Sequence, residues 1–326
     1  VTTQLFLHRE ALSLGSDREL RRRFENGEVH RLRPGVYLPA ATWATLGTDD
    51  RYRMTVRAAA SITAHGTQFS HDSAAALWRL PSLGAWSPSA HALMPRQEGG
   101  RSRAGIRFHG LGLDDEPAVI DDVTITSLAR TLLDVAAQPV FDRAVAMVDA
   151  GIRPAAVGEF LRDFRQPTRD DLLRLHENRM PYFASTRAHR VLLFADAKSG
   201  SPAESLFRCQ CHALGLPAAE LQVPFFDDDG LIGFADFYWP DLGLVVEVDG
   251  DVKYSARRRF QRDLTIEQIY LAEKRREDRL RRVVEGFARP PMEIMRDRRR
   301  LAPFLAHHGL VPQHARGRAN EGFSAG

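Results

Sequence analysis

The sequence predicts a multi-domain α/β protein, and three observations carry that expectation. The chain has 326 residues, more than one core of ordinary size organises at roughly 100–200 residues per domain. Stretches of helical period alternate with short apolar runs of strand length, separated by Pro- and Gly-bearing turns. Hydrophobic residues make up 44% and charged residues 27%, a balance that supplies apolar material for substantial cores in a water-soluble chain. No apolar run approaches the ~20 residues that span a bilayer. Val1-Thr2-Thr3-Gln4 is not the basic-then-apolar opening of a secretory signal. The expected setting is therefore cytoplasmic, with no membrane partner. Cys209 and Cys211 lie two apart without Cys/His ligand spacing around them, so they read as reduced packing residues rather than a zinc or redox pair.

Residues 1–45 read as helix, turn, basic helix and hairpin. A short helix over 5–12 closes at Leu14-Gly15. Ser16 stands at an N-cap, with Glu19 at the capping-box position. The helix over 17–25 carries Arg18, Arg21, Arg22 and Arg23 and stops at Asn26-Gly27. A strand, the turn Pro34-Gly35 and a second strand follow, bringing Arg31 and Arg33. That order predicts a winged helix-turn-helix. Its basic helix would enter a major groove and its wing would touch phosphates, which makes double-stranded DNA the expected partner. A helix-hairpin module that only packs on the next domain is the other reading.

Net charge is only +3, but arginine gathers at 18–33 and at 257–300, including Arg257-Arg258-Arg259 and Arg298-Arg299-Arg300. Two basic stretches on a near-neutral chain suit contact with phosphates at two surfaces. For the second stretch, Glu267, Glu273, Glu277 and Asp278 make a solvated, ion-paired helix face an equally good account.

The run Leu14-Gly15-Ser16-Asp17-Arg18-Glu19-Leu20-Arg21-Arg22-Arg23, followed by Gly27-Glu28-Val29-His30-Arg31-Leu32-Arg33-Pro34-Gly35-Val36-Tyr37, resembles the N-terminal domain of AbiEi-type antitoxins of type IV toxin–antitoxin systems. The resemblance implies a winged helix that binds DNA in autoregulation, and a toxin as a further partner.

Residues 46–150 read as a central α/β domain. Helices are expected over 50–64, from Ser70 to Pro81, and from Thr126 onward; strands are expected over 90–94 and 106–109. Ser70, His71, Asp72 and Ser73 do not make a hydrolase triad, because chain neighbours rarely supply triad geometry and no nucleophile elbow is present. Ser70 reads instead as a helix cap, and Arg130 with Asp134 as an i,i+4 pair. Residues 151–200, punctuated by Pro154, Pro167 and Pro181, read as a helical connector.

Residues 201–312 hold the chemistry, with 313–326 expected as a disordered tail. A helix opens at Ser201-Pro202-Ala203-Glu204 and runs to about Ala213. Strands follow over 221–226, 232–238 and 244–248. A charged helix over 265–282, a fourth strand over 283–287 and a last helix over 297–308 complete the domain. Asp236 sits in one apolar run; Glu247 and Asp249 close another. Unpaired buried carboxylates are costly, so they find cations. Alternation puts Glu247 and Asp249 on one face. Three carboxylates at one end of a hairpin would suit Mg²⁺ or Mn²⁺, which activates water for phosphodiester cleavage.

Ser201-Pro202-Ala203-Glu204-Ser205, Gln222-Val223, Ala235-Asp236-Phe237-Tyr238-Trp239-Pro240 and Val246-Glu247-Val248-Asp249-Gly250 closely resemble the DUF559 domains, Vsr-like members of the PD-(D/E)XK nuclease superfamily. The resemblance implies a restriction-endonuclease-like α/β core around a mixed sheet, and a metal-dependent endonuclease. By match, Asp236 and Glu247 are the metal-binding acids and Glu204 is the acid of the leading helix. Asp249 stands where the superfamily's usual lysine would. Asp236 and Glu247 would hold the ion, with Asp249 or Glu204 completing its shell. Lys253 and Gln222 would orient the attacking water. Ser201 and Glu204 also form a capping box by spacing alone. Two departures stand out: Asp251-Val252-Lys253-Tyr254 lacks the usual histidine, and Val283-Val284-Glu285-Gly286-Phe287-Ala288-Arg289 is a weak fourth strand. Two functions therefore stay open: a DNA-binding endonuclease, or an antitoxin-like transcriptional regulator whose nuclease fold is degenerate.

Overall fold

The structure, a computed structural model, describes residues 5–14, 16–113, 116–154, 160–249 and 265–312. Lys253, the Arg257–Arg259 run and the predicted tail lie outside the described residues. The chain is mixed α/β and divides into two units, Val1–Gln138 with Ala155–Arg190, and Pro139–Pro154 with Val191–Gly326.

In the first unit, β1 (Phe6–Leu7) leads straight into α1 (His8–Ser13). The helix expected from residue 5 starts later because Phe6 and Leu7 pair with Tyr37 and Val36. α2 (Asp17–Glu25) ends at Asn26, with Gly27 at φ 73. Ser16 stands at the expected N-cap, but its hydroxyl donates to the Ala11 carbonyl at 3.3 Å and Glu19 pairs with Arg22, so the capping box is not formed. β2 (Val29–Arg33) and β3 (Val36–Pro39) form the expected hairpin, in a sheet of order β1-β3-β2. Leu20 of α2 is buried, as are Val29, Val36 and Leu38 of the sheet; α2 packs on β2 through this small core.

α3 (Ala40–Thr45), α4 (Thr48–Ala60) and α5 (His71–Leu77) come next. β4 (Ala90–Leu93) runs parallel to β6 (Ile106–His109), with β5 (Arg101–Arg103) antiparallel on the far side of β6. β7 (Ala118–Ile120) and β8 (Val123–Ile125) make a hairpin. Phe69 joins these pieces: its N–H donates to Thr124 at 2.8 Å, and Leu93 N–H donates to neighbouring Gln68 at 2.8 Å. α6 (Leu128–Ala136) starts at Ser127, whose hydroxyl accepts the Arg130 N–H. α7 (Phe141–Ile152) belongs to the second unit. α8 (Arg169–Arg179) opens on a full capping box between Thr168 and Asp171 and packs on α6.

α9 (Ser185–Phe194) carries the chain into the second unit. α10 (Pro202–Ala213) starts where Ser201 caps it, with Pro202 at a first-turn position that needs no N–H donor. β9 (Glu220–Asp227), β10 (Gly230–Trp239) and β11 (Leu244–Val246) follow as an antiparallel meander. α11 (Ile266–Val283) opens on a capping box between Thr265 and Gln268. β12 (Gly286–Ala288) pairs parallel with β11, giving a mixed sheet of order β12-β11-β10-β9. α12 (Met292–Met295) and α13 (Arg298–His307) close the unit.

The sheet's side chains divide between two cores. Phe237, Leu244, Val246 and Val248 pack with Phe207 of α10 and with Leu301 and Leu305 of α13. Ile232, Ala235, Val245 and Phe287 pack with Leu280 of α11. The stretch expected as a connector, 151–200, is shared between the units rather than standing apart. α7 packs on α10, tied by Asp149, which accepts from Ser205 Oγ and Arg208 Nη2 at 2.7 Å each. Those partners lie more than fifty residues away, so no local pattern announces them. Both cysteines are buried and free, as expected for packing residues. No helix among the described residues is long and apolar enough to cross a membrane.

Candidate functional site: a carboxylate row met by arginines

The predicted acids gather at the end of the β9–β10–β11 meander, where the sequence places them, but their hydrogen-bond partners differ. The register pairs Phe237 with Val246 and with Leu221, so Asp236 stands beside Gln222 on one side and Glu247 on the other. Gln222, at φ 55, turns its amide inward. Its Nε2 donates to Asp236 Oδ1 at 3.3 Å and to Glu204 Oε2 at 3.2 Å. Val248 N–H donates to Asp236 Oδ2 at 3.0 Å. Glu204 is 2% exposed and accepts from Gly200 N–H at 2.7 Å and Ser201 Oγ at 3.0 Å. Ser201 Oγ accepts the Glu204 N–H in return, so the spacing-based cap is real. Glu204, Gln222 and Asp236 thus form one satisfied polar row, the arrangement a buried carboxylate requires.

Glu247 has different company. Arg276 Nη2 on α11 donates to both of its carboxylate oxygens at 2.7 Å, and Arg289 Nη2, just past β12, donates to Oε2 at 2.7 Å. Arg276 also holds Glu273 at 2.8 Å. Arg289 reaches Glu277 at 3.2 Å, Asp249 at 3.6 Å and Glu273 at 3.7 Å. Burial works against the charge on Arg276, but its bonds to Glu273 and the charge of Glu247 outweigh that and raise its pKa. Charge-assisted bonds of this kind are about twice as strong as neutral ones.

These residues do not fit Mg²⁺ as arranged. The ion needs near-octahedral oxygen ligands, whereas both oxygens of Glu247 already receive guanidinium donors. Asp249 turns toward Arg289. No three of Glu204, Asp236, Glu247 and Asp249 bring ligand atoms together; among the described residues, the trio that does so is His71, His91 and His109. Asp236, Glu247 and Asp249, expected to share one ion, have separate partners in the structure: Gln222 and the Val248 N–H for Asp236, and arginines for the other two. Strand alternation was legible in the sequence, but the cations that neutralise the acids arrive from a helix and a strand 29 and 42 residues further on. Two residues that the sequence reading missed, Arg276 and Arg289, organise this end of the sheet. Lys253 lies outside the described residues.

The predicted nucleic-acid residues divide into two sets. Arg18 is exposed, and the Arg21 and Arg22 side chains are 81% and 69% exposed. Their links to Glu25 and Glu19 are surface pairs worth roughly 0–1 kcal/mol, so the guanidiniums are available to phosphate. Arg23 is half-buried, 3.5 Å from Glu28 and over the Phe6 ring. Arg31 lies over Phe24. Arg33 turns inward: Nη2 donates to the Ala104 carbonyl, and burial lowers its pKa. The hairpin arginine expected on phosphate is thereby tied to the β5–β6 turn, a long-range contact that sequence spacing does not show.

Comparison with known proteins adds little on activity. No family model matches the chain. Over 140 residues it is 30% identical to an uncharacterized protein of Mycobacterium tuberculosis strain CDC 1551 / Oshkosh, and equally to an uncharacterized protein of strain ATCC 25618 / H37Rv. The match takes in 43% of this chain and 48% of each relative, so the chain spans about half the length of the curated relatives it matches.

Proposed function

We propose that the protein is a cytoplasmic, DNA-binding regulator of antitoxin-like type, whose C-terminal domain keeps a nuclease-like sheet without a working Mg²⁺ centre. The observation that supports this reading over the endonuclease is the Glu247 carboxylate, bonded on both oxygens to Arg276 and on one to Arg289. DNA binding rests on the outward set Arg18, Arg21 and Arg22 on α2, followed by the hairpin. Double-stranded DNA is the partner this face suits; a toxin partner follows from the antitoxin resemblance.

The test is fluorescence anisotropy with a random-sequence duplex across a salt series. The 326-residue chain binds with an affinity that falls steeply as salt rises, and each lost phosphate contact flattens the log–log slope by about 0.9. Joint Arg18→Ala, Arg21→Ala and Arg22→Ala weakens binding at least about tenfold and lowers that slope. Undiminished binding by this variant would refute the reading of α2. The same protein incubated with plasmid and Mg²⁺ or Mn²⁺ leaves the DNA intact. Cleavage that disappears in Glu247→Ala would restore the endonuclease.

A further inference from the structure

We propose that His71, His91 and His109 form a binding site in the first unit for one transition-metal ion of the Zn²⁺ class. The topology brings them together. β4 and β6 are parallel with His91 opposite Arg107, so alternation puts His91 and His109 on one face, one step apart. Ser70 N–H donates to the His91 carbonyl at 3.0 Å, which seats the first residue of α5, His71, over that face. The resulting rings stack, with His71 and His109 centroids 3.9 Å apart and His91 and His109 centroids 5.1 Å apart. One ligand atom from each residue lies within 4.8 Å of the others, and His91 Nδ1 is 2.9 Å from His109 Nε2.

Three imidazoles packed this closely are an unusual use of buried space. His91 is buried, and His71 and His109 are partly buried beside it. Neutral imidazole nitrogen is a good ligand for Zn²⁺, Cu²⁺ and Ni²⁺ and a poor one for Mg²⁺. Tetrahedral Zn²⁺ with bonds of about 2.0–2.1 Å sets its nitrogens about 3.3 Å apart, so the His91–His109 pair needs to open by only a few tenths of an ångström. The rings stack near-parallel, with interplanar angles of 13° and 15° to His109, so binding would require them to tilt until their in-plane lone pairs meet at one ion.

A second observation points the same way. Asp134 is 7% exposed; its Oδ1 accepts from Arg130 Nε at 2.8 Å, while its buried Oδ2 has no hydrogen-bond partner among the described residues and lies 3.8 Å from His71 Nδ1. An orphaned buried carboxylate oxygen is costly. A carboxylate behind the ring is the partner that metal-bound histidines keep. His71 Nδ1 contacts Ser70 Oγ at 2.9 Å; with an ion on the opposite nitrogen, the Nδ1–H would turn to Asp134. His71 also holds φ 50, a conformation that persists only where the surroundings enforce it. One of the three, His109, also lines an open cavity of about 680 Å³ together with Arg101, Arg107 and Phe183.

The experiment is calorimetric titration of the untagged, chelator-treated 326-residue chain with Zn²⁺, with Co²⁺ absorption as a second readout. One Zn²⁺ binds per chain, excess Mg²⁺ does not compete, and His91→Gln or His109→Gln weakens binding about tenfold or more. Circular dichroism checks that each variant folds. Should either fail to fold, the wild-type Co²⁺ spectrum decides: visible d–d bands without thiolate charge transfer support the site. A thiolate band places the ion at Cys209 or Cys211 and overturns it. So does absence of Zn²⁺ binding by the wild type, or unchanged affinity in both folded variants.

Discussion

Asp149 shows what a buried charge requires at the residue scale. It is 1% exposed and accepts from Asp196 N–H at 2.8 Å and from Ser205 Oγ and Arg208 Nη2 at 2.7 Å each. Burial raises its pKa, and the Arg208 charge with these three donors opposes the rise. Asp149→Ala removes the carboxylate that neutralises Arg208, which keeps only the Phe194 carbonyl and Ser199 Oγ as acceptors among the described residues, so the second unit loses about 3–5 kcal/mol; Asp149→Asn, which keeps an acceptor, loses less. Urea unfolding measures both. The histidine trio supplies a pH prediction of definite sign. Burial, then the neighbouring ring or rings and arginine, lowers His71 and His109 from 6.5 to about 3. Above pH 6.5 both folded and unfolded rings are neutral and contribute no slope. Below it the unfolded chain takes up protons that the folded chain refuses, so stability falls between pH 6.5 and 3, by up to about 1.4 kcal/mol per pH unit per ring. Asp134, whose pKa burial raises, opposes that loss at the acid end. Metal-free protein melted at pH 7.5 and pH 5 should lose stability on acidification, and His109→Gln should lose less. A flat profile would contradict the buried, neutral assignment.

At the scale of elements, the turn between β10 and β11 depends on one glycine. Gly243 sits at φ 53, and its carbonyl accepts the N–H groups of Glu285 and Gly286 at 3.1 Å each. A Cβ there would stand 2.8 Å from Glu285 Cβ and Cγ, contacts near the backbone that a rotamer change relieves poorly. Gly243→Ala combines that clash with a left-handed conformation, so we expect a loss of about 1–3 kcal/mol by thermal melting. The elements that carry their own local signals were legible in the sequence: α2 with its Asn26-Gly27 stop, α10 with Ser201 and Pro202, and the meander with its turn residues. Elements that exist only through distant pairing were not. β1 is two residues long and is a strand because β3 is beside it. β5, β7 and β8 have three residues each, too few for a period to show. The same division holds at the site. Asp236 was legible because apolar neighbours make a buried polar group conspicuous, Glu204 through its spacing to Ser201, and Gln222 through its place at the start of a strand. Arg276 and Arg289 were not, because on a charged helix and a weak strand they resemble solvated surface residues. The trio of histidines comes from three separate elements whose spacing matches no ligand motif.

For the molecule as a whole, the second unit is discontinuous in sequence. Its α7 comes from Pro139–Pro154, ahead of a stretch that belongs to the first unit. A fragment beginning at Ser201, the boundary that composition suggests, lacks α7 and leaves Ser205 and Arg208 without their acceptor. We expect residues 139–326 to unfold cooperatively in urea and residues 201–326 to give a broad, shallow transition; equal cooperativity would show that α7 is dispensable. Buried Cys209 and Cys211 in α10 have a further consequence. Burial raises both thiols well above their ordinary range, so thiolate, the species alkylating agents attack, is scarce while the helix stays packed. The chain thus carries an internal stopwatch: the rate at which iodoacetamide consumes its native sulfurs reads how often this half of the protein breathes open, with no foreign probe introduced.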